Sequence, residues 1–283
     1  MTRPADAAAG TTAAAAVRSL PADPRALGRR ITGSPLVVLL DVDGTLAPIA
    51  PRPEDAFVPA ATREAVAALA GARDTHVALV SGRGAEDARR LVGVDGVWAI
   101  GNHGLETIDP DGVMAIDPRV AAWEGALQSV RASAAEVVAT VPGARVEDKG
   151  ATLSIHYRLA DAADVPRLES AVAAAAERAG LRVTRGRKVV EVRPPLAVDK
   201  GTAVLALAAR LGATERSASI VFAGDDTTDE DAMEALRGLH ADAVTIHVEG
   251  EEPRPTRAEF RVGSPAELGK WLAALAAVRG GGE

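Results

Sequence analysis

Short unbroken apolar runs alternate with helix-period stretches through most of the chain. Residues 36–40 (LVVLL), 75–80 (THVALV) and 97–100 (VWAI) lack the polar alternation of a half-exposed strand, which predicts strands buried on both faces of a parallel sheet. Between those runs, residues 62–70 and 85–91 carry apolar positions at helical spacing, with Thr62 placed to cap the first helix. Pro51, Pro53 and Pro59 exclude regular helix from residues 50–59 and predict an extended loop. The rhythm returns beyond residue 200, where helices are expected over 202–211, 230–236 and 266–278 and strands over 219–223 and 244–248. Strands alternating with helices imply right-handed βαβ units, so the expected class is α/β with a Rossmann-like parallel sheet.

The rhythm breaks between residues 105 and 193. Pro110-Asp111-Gly112 turns a short hairpin, helices fit 120–140 and 163–179, and strands fit 145–147, 151–158, 182–184 and 188–192, the last two joined across Gly186. Hairpin-linked strands with two helices describe a small α+β unit inserted into the larger one, and Pro194-Pro195 marks its exit. The expected organisation is a flexible tail over 1–30, a core made of 31–105 and 195–283, and an inserted domain over 106–194. Residues 7–17 are rich in small residues but interrupted by Gly10, Thr11 and Thr12, which denies them the apolar core of a signal peptide.

Polar groups gather where the buried runs end. Asp41 and Asp43 follow the first run in DVDGT, Ser81 and Arg83 the second in SGR, and Asn102, His103 and Gly104 the third in GNHG. Asp225, Asp226 and Asp229 follow a fourth in GDDTTDED. Open α/β sheets bind ligands at the carboxyl ends of their strands, so four such termini predict one site. Carboxylates at this density repel and need a hard cation such as Mg²⁺, or a shared proton. Lys200 opens a helix in VDKG. With Ser81 it supplies the fixed donors and positive charge that phosphoryl oxygens require.

Composition narrows the partners. The 283 residues leave room for about two domains. Aromatic residues make up only 2%, so base-stacking platforms are nearly absent, and the net charge of −7 argues against a nucleic-acid partner. The absence of cysteine excludes disulfides and thiolate chemistry and fits a cytoplasmic protein. No apolar run approaches bilayer-spanning length, so no membrane association is expected. Between Gly143 and Arg193 the sign reverses, with ten Lys and Arg against seven Asp and Glu, which suits a small anionic substrate. Glu147 and Lys149 fall there on one strand face by period-two geometry.

These motifs resemble those of the haloacid dehalogenase-like (HAD) phosphohydrolases, and the insert resembles the C2-type cap of such enzymes. More narrowly, DVDGTLAPI, VSGR, GNHGLE, VEDKGATLSIHYR, KVVEVRP, DKG and GDDTTDED resemble the trehalose-6-phosphate phosphatases, from about residue 36 to 271. The resemblance implies hydrolysis of a small-molecule sugar phosphate with Asp41 as nucleophile, Asp43 as acid and base, and Ser81 and Lys200 on the phosphoryl group. It implies Mg²⁺ held by Asp41, the Asp43 backbone and Asp225, with Asp226 and Asp229 behind them. Glu147, Lys149 and Glu191 are the implied readers of sugar hydroxyls, and Arg83, Asn102, His103, Gly104, His156 and Arg158 are further candidates for substrate contact. A trehalose-phosphate synthase of the same pathway is the implied partner. Phosphatases of the same cap type acting on sucrose phosphate or a mannosyl phosphoglycerate are alternatives, as is a phosphohexomutase sharing the nucleophile motif. A catalytically dead module is disfavoured, because Asp41, Asp43, Lys200 and Asp225 are all present and no synthase-sized region precedes them.

Overall fold

The computed structural model describes residues 17–186, 188–250 and 253–281. The chain enters along β1 (Arg18–Ser19) and α1 (Arg29–Thr32), then forms β2 (Leu36–Leu40), α2 (Ala60–Ala70), β3 (Thr75–Val80), α3 (Ala85–Val92) and β4 (Trp98–Gly101). A hairpin, β5 (Glu106–Ile108) and β6 (Met114–Ile116), leads into α4 (Glu124–Val138), β7 (Arg145–Asp148), β8 (Leu153–His156), α5 (Val165–Arg178), β9 (Arg182–Gly186) and β10 (Val189–Arg193). The chain closes with α6 (Lys200–Arg210), β11 (Ser219–Gly224), α7 (Thr227–Leu239), β12 (Val244–Val248), β13 (Phe260–Val262) and α8 (Pro265–Gly280).

Nine strands form the large sheet in the order β1-β13-β12-β11-β2-β3-β4-β5-β6. It is parallel from β1 to β4, and the hairpin adds two antiparallel strands. Every residue of β2 is fully buried, because its two faces meet two helical layers. Leu36, Val38 and Leu40 share a cluster with Val66 and Leu69 of α2 and Leu272 and Leu275 of α8. Val37 and Leu39 share the opposite cluster with Phe222 of β11, Val204 of α6 and Met233 of α7. Burial on both sides is the physical reason the run has no polar alternation.

The insert is a four-stranded antiparallel sheet, β7-β8-β10-β9, covered by α4 and α5. Ile155, Val190 and Val192 pack there against Leu127 and Val130 of α4 and Leu168 and Val172 of α5. Among the described residues, no helix is long and apolar enough to cross a membrane.

Three expectations are corrected, and a strand is added. Residues 106–116, assigned to the insert, extend the large sheet instead: Ile108 pairs with Ala99 and packs in the core beside Val97. Residues 17–30, assigned to a flexible tail, are held: the Arg18 and Leu20 amides donate to Glu259 and Arg261 carbonyls, and Leu27 is buried. Arg30 Nη1 also donates to Glu259 Oε1 at 2.9 Å; residues 1–16 lie outside the described residues. Helix α2 begins at Ala60 behind Pro59, whose φ of −56° is already that of a helix, so Thr62 is buried in the first turn instead of capping it. Strand β13, three residues in a Pro- and Arg-rich stretch, carries too short an apolar signal to be read from sequence.

Phe222 is the largest fully buried side chain and lies two residues before the Gly224-Asp225 strand end. Phe222→Ala is expected to lower the unfolding free energy by about 3–5 kcal/mol, read as a lower urea midpoint at unchanged slope. A loss below about 1 kcal/mol would show that β11 is not packed against α6 and α7 as described.

Candidate active site

Strands β11, β2, β3 and β4 are adjacent and parallel, so Asp225, Asp41, Ser81 and Asn102 emerge at one edge. The Asp41 amide continues the ladder by donating to the Ala223 carbonyl at 2.9 Å. Beyond it Gly44 takes φ +90°, and a Cβ there would collide with the Asp225 carboxylate. Only glycine lets the turn after β2 pass that close. Lys200 starts α6, whose start is set by a reciprocal capping box between Asp199 and Thr202. Its ammonium donates to Asp41 Oδ1 and to Asp229 Oδ1, each at 2.7 Å. Asp229 Oδ2 accepts from the Asp225 and Asp226 amides at 3.1 and 2.9 Å. Both oxygens of Asp229 are therefore engaged.

Asp41, Asp225 and Asp229 bring carboxylate oxygens within 4.8 Å of one another. Burial, with the Asp229 charge, pushes the Asp41 carboxyl well above the usual range even beside Lys200. Burial, with Asp229 and Asp226, pushes Asp225 up to about 7. Burial opposes the Lys200 charge, but Asp229 and Asp41 outweigh it and hold the ammonium protonated. Asp41 Oδ2 is buried without a hydrogen-bond partner. One buried ammonium leaves three crowded carboxylates under-neutralised, and an all-oxygen anionic set with an orphaned oxygen fits a hard divalent cation. Asp41 and Asp225 have oxygens available for it. Asp229 does not.

A cavity of about 730 Å³ lies between the core and the insert. From the core it is lined by Asp41, Asp43, Ser81, Arg83, His103, Lys200, Asp225 and Asp226, and from the insert by Glu147, Lys149, His156, Arg158 and Glu191. Several of these side chains are already paired within the protein. His156 Nε2 lies 2.6 Å from Glu147 Oε2, Lys149 Nζ donates to the Gly82 carbonyl at 2.8 Å, and His103 Nε2 lies 3.0 Å from Glu191 Oε2. Burial raises the Glu191 carboxyl, but the His103 hydrogen bond and charge, with Lys149 and Arg193, outweigh it and hold the group at about 2. Ser81 Oγ accepts from the Arg83 amide at 3.1 Å.

Three candidates do not line the cavity. Asn102 is fully buried: its Nδ2 donates to Glu106 Oε1 at 2.6 Å and to the Lys149 carbonyl at 3.1 Å, and its Oδ1 accepts from Thr152 Oγ1 at 2.9 Å. It ties the insert to the core and has no polar group left for a ligand. Gly104, at φ +112°, is a packing residue, since a Cβ there would press on Ala203 and Val198. Asp229 lies behind the lining, orienting Lys200 and the Asp225 turn. Sequence reasoning missed Arg145, Arg185, Lys188 and Arg254 at the same cavity. The sign reversal over residues 143–193 points at the first three; Arg254, which donates to Asp226 Oδ1 at 2.9 Å, sits in a loop with no local signal.

The trehalose-phosphatase family model matches residues 39–266. An uncharacterized glycosyl hydrolase of Mycobacterium tuberculosis is 40% identical over 253 residues, covering 88% of this chain and 19% of that protein. A trehalose-phosphate phosphatase of Mycobacterium marinum is 37% identical over 262 residues, covering 91% and 66%. The chain thus spans less than two thirds of the length of either relative. Among solved structures, a trehalose-6-phosphate phosphatase related protein superposes with a TM-score of 0.74 at 27% identity, covering 87% of this chain and 100% of that one. A haloacid dehalogenase-like hydrolase of Bacteroides thetaiotaomicron shares the fold, with a TM-score of 0.61 at 16% identity, covering 85% and 98%.

Because Glu191 is held below its unfolded value of 4.5, its pairing stabilises the chain above about pH 4.5 and that stability is lost as pH falls toward 2. Glu191→Gln is expected to remove about 3 kcal/mol at neutral pH and to flatten the acid limb of stability measured by urea unfolding at stepped pH. An unchanged acid limb would contradict the pairing.

Proposed function

The chain belongs to the trehalose-phosphatase family, and on that premise we propose that it hydrolyses trehalose 6-phosphate to trehalose and phosphate through an aspartyl-phosphate. The observation that carries this reading is Asp41 itself: a buried carboxylate with one oxygen fixed by Lys200 at 2.7 Å and the other unpartnered, at the base of a roofed cavity. Such a carboxylate, held on one side by Lys200 and free of protein hydrogen bonds on the other, is positioned to meet both a cation and a phosphoryl group.

In the proposed reaction Asp41 forms a bond to phosphorus as the bond from phosphorus to the sugar oxygen breaks. Asp43 gives its proton to that oxygen, and then takes one from the water that cleaves the acyl phosphate. Lys200 and the Ser81 hydroxyl hold phosphoryl oxygens, and the Lys200 charge favours the ionised form of Asp41 against the burial that raises it. A Mg²⁺ ion would be held by Asp41, Asp225 and the Asp43 backbone carbonyl, with Asp226 and Asp229 in support, and when bound it neutralises the acids and the phosphoryl charge. Glu147, Lys149 and Glu191 are the proposed sugar readers, with His103, His156 and Arg158 beside them. Their mutual pairs are of the charged donor and acceptor kind that sugar hydroxyls can replace. A cavity of about 730 Å³ is in the range of small-molecule sites. The substrate class makes a trehalose-phosphate synthase the natural supplier.

Phosphate release from a panel of sugar phosphates tests the substrate. The expected outcome is turnover of trehalose 6-phosphate ahead of sucrose phosphate and mannosyl phosphoglycerate; preference for either of those would contradict the narrow reading, and near-zero release with phosphate returned to the sugar would indicate a mutase. Chelation of divalent ions should stop turnover and added Mg²⁺ should restore it. Asp41→Asn should reduce release to background while the thermal midpoint stays in place, and a substantially active variant would rule out the covalent route.

A further inference from the structure

Arg83 stands at the cavity wall, yet most of its donors are used within the protein. Nε and Nη2 donate to Asp43 Oδ2 and Oδ1 at 2.6 and 2.8 Å, a two-pronged grip on one carboxylate. Nη1 donates to Asp87 Oδ2 at 2.8 Å, and Nη2 also reaches the Pro53 carbonyl at 3.0 Å. The side chain is only 11% exposed. The guanidinium is thus fixed from α3 on one side and from the loop after β2 on the other, and Asp43 is what it presents. That loop also meets the insert, because Glu54 pairs with Arg145 of β7 at 3.1 Å.

We propose that Arg83 is a positioning residue that acts through Asp43: it sets the orientation of the carboxyl that serves the leaving sugar oxygen, keeping hold of one oxygen when the other is released to carry the proton, and does not itself bind the sugar phosphate. The inference rests on the phosphatase reading above. A substrate-binding arginine would turn its fork to the ligand, whereas here four of the five N–H donors, including both prongs of the fork, are committed to protein acceptors. The planar fork is also what the geometry uses, and a lysine's single point charge cannot reproduce two parallel bonds.

The test compares kcat/KM for trehalose 6-phosphate with kcat/KM for p-nitrophenyl phosphate, whose leaving oxygen departs without needing a proton. Because kcat/KM reports on steps up to loss of the leaving group, Arg83→Gln should lower it for the sugar ester by about 10²-fold and for the aryl ester by about threefold or less. In an Asp43→Asn background the same change should cost nothing more, since residues that act as a unit are not additive. Arg83→Lys, which keeps the charge, should show the same leaving-group-dependent loss and serves if the glutamine variant does not fold. Equal losses for the two esters, or a loss that persists in the Asp43→Asn background, would overturn the assignment. Failure of the unmodified protein to release phosphate from either ester would instead sink the phosphatase reading itself.

Discussion

A single buried ammonium holds the site together. Lys200 lies between Asp41 and Asp229 at 2.7 Å from each, and it is 3% exposed. Two carboxylates and a lysine taken out of water are costly unless they satisfy one another. Here they join three separated segments: the end of β2, the start of α6 and the first turn of α7. Asp229 passes the constraint on through its second oxygen, which gathers the amides of Asp225 and Asp226. Asp41, the Lys200 ammonium and the strand-end turn therefore cannot move independently.

What the arrangement leaves unsatisfied is equally informative. Three acids against one ammonium do not balance, and the imbalance falls on Asp41 and Asp225, whose carboxyls are pushed upward first by burial and then by their acidic neighbours. The site thus carries uncompensated negative charge that a divalent cation would relieve. The insert shows the opposite condition. Glu147, Lys149 and Glu191 are each already paired, to His156, the Gly82 carbonyl and His103. The core holds uncompensated charge, whereas the charged groups of the insert are already partnered within the protein.

The core of this arrangement was legible in the chain because β2, β3, β4 and β11 announce themselves as apolar runs and their polar residues follow immediately. Adjacency of those four strands then needs only the parallel βαβ rule. Asn102 shows the limit of that logic. It stands at the right strand end, but two consecutive left-handed residues, Asn102 at φ +48° and His103 at φ +55°, turn its amide inward to Glu106 and Thr152. Backbone conformation of that kind leaves no trace in hydrophobic pattern. The turn chemistry of residues 109–112 marks a hairpin but does not say which sheet edge its strands will meet, and β5 pairs with β4 of the large sheet. The position of Arg83 at a strand end fits a substrate contact equally well, and only the distances to Asp43 show where its donors go.

The most direct test of the central claim is whether the Asp41 carboxylate carries the phosphoryl group during turnover. A single turnover with trehalose 6-[³²P]phosphate, quenched in acid and mapped by peptide, should place label on the peptide containing Asp41. Label on another residue, or a chain that stays unlabelled while phosphate is released, would contradict the account.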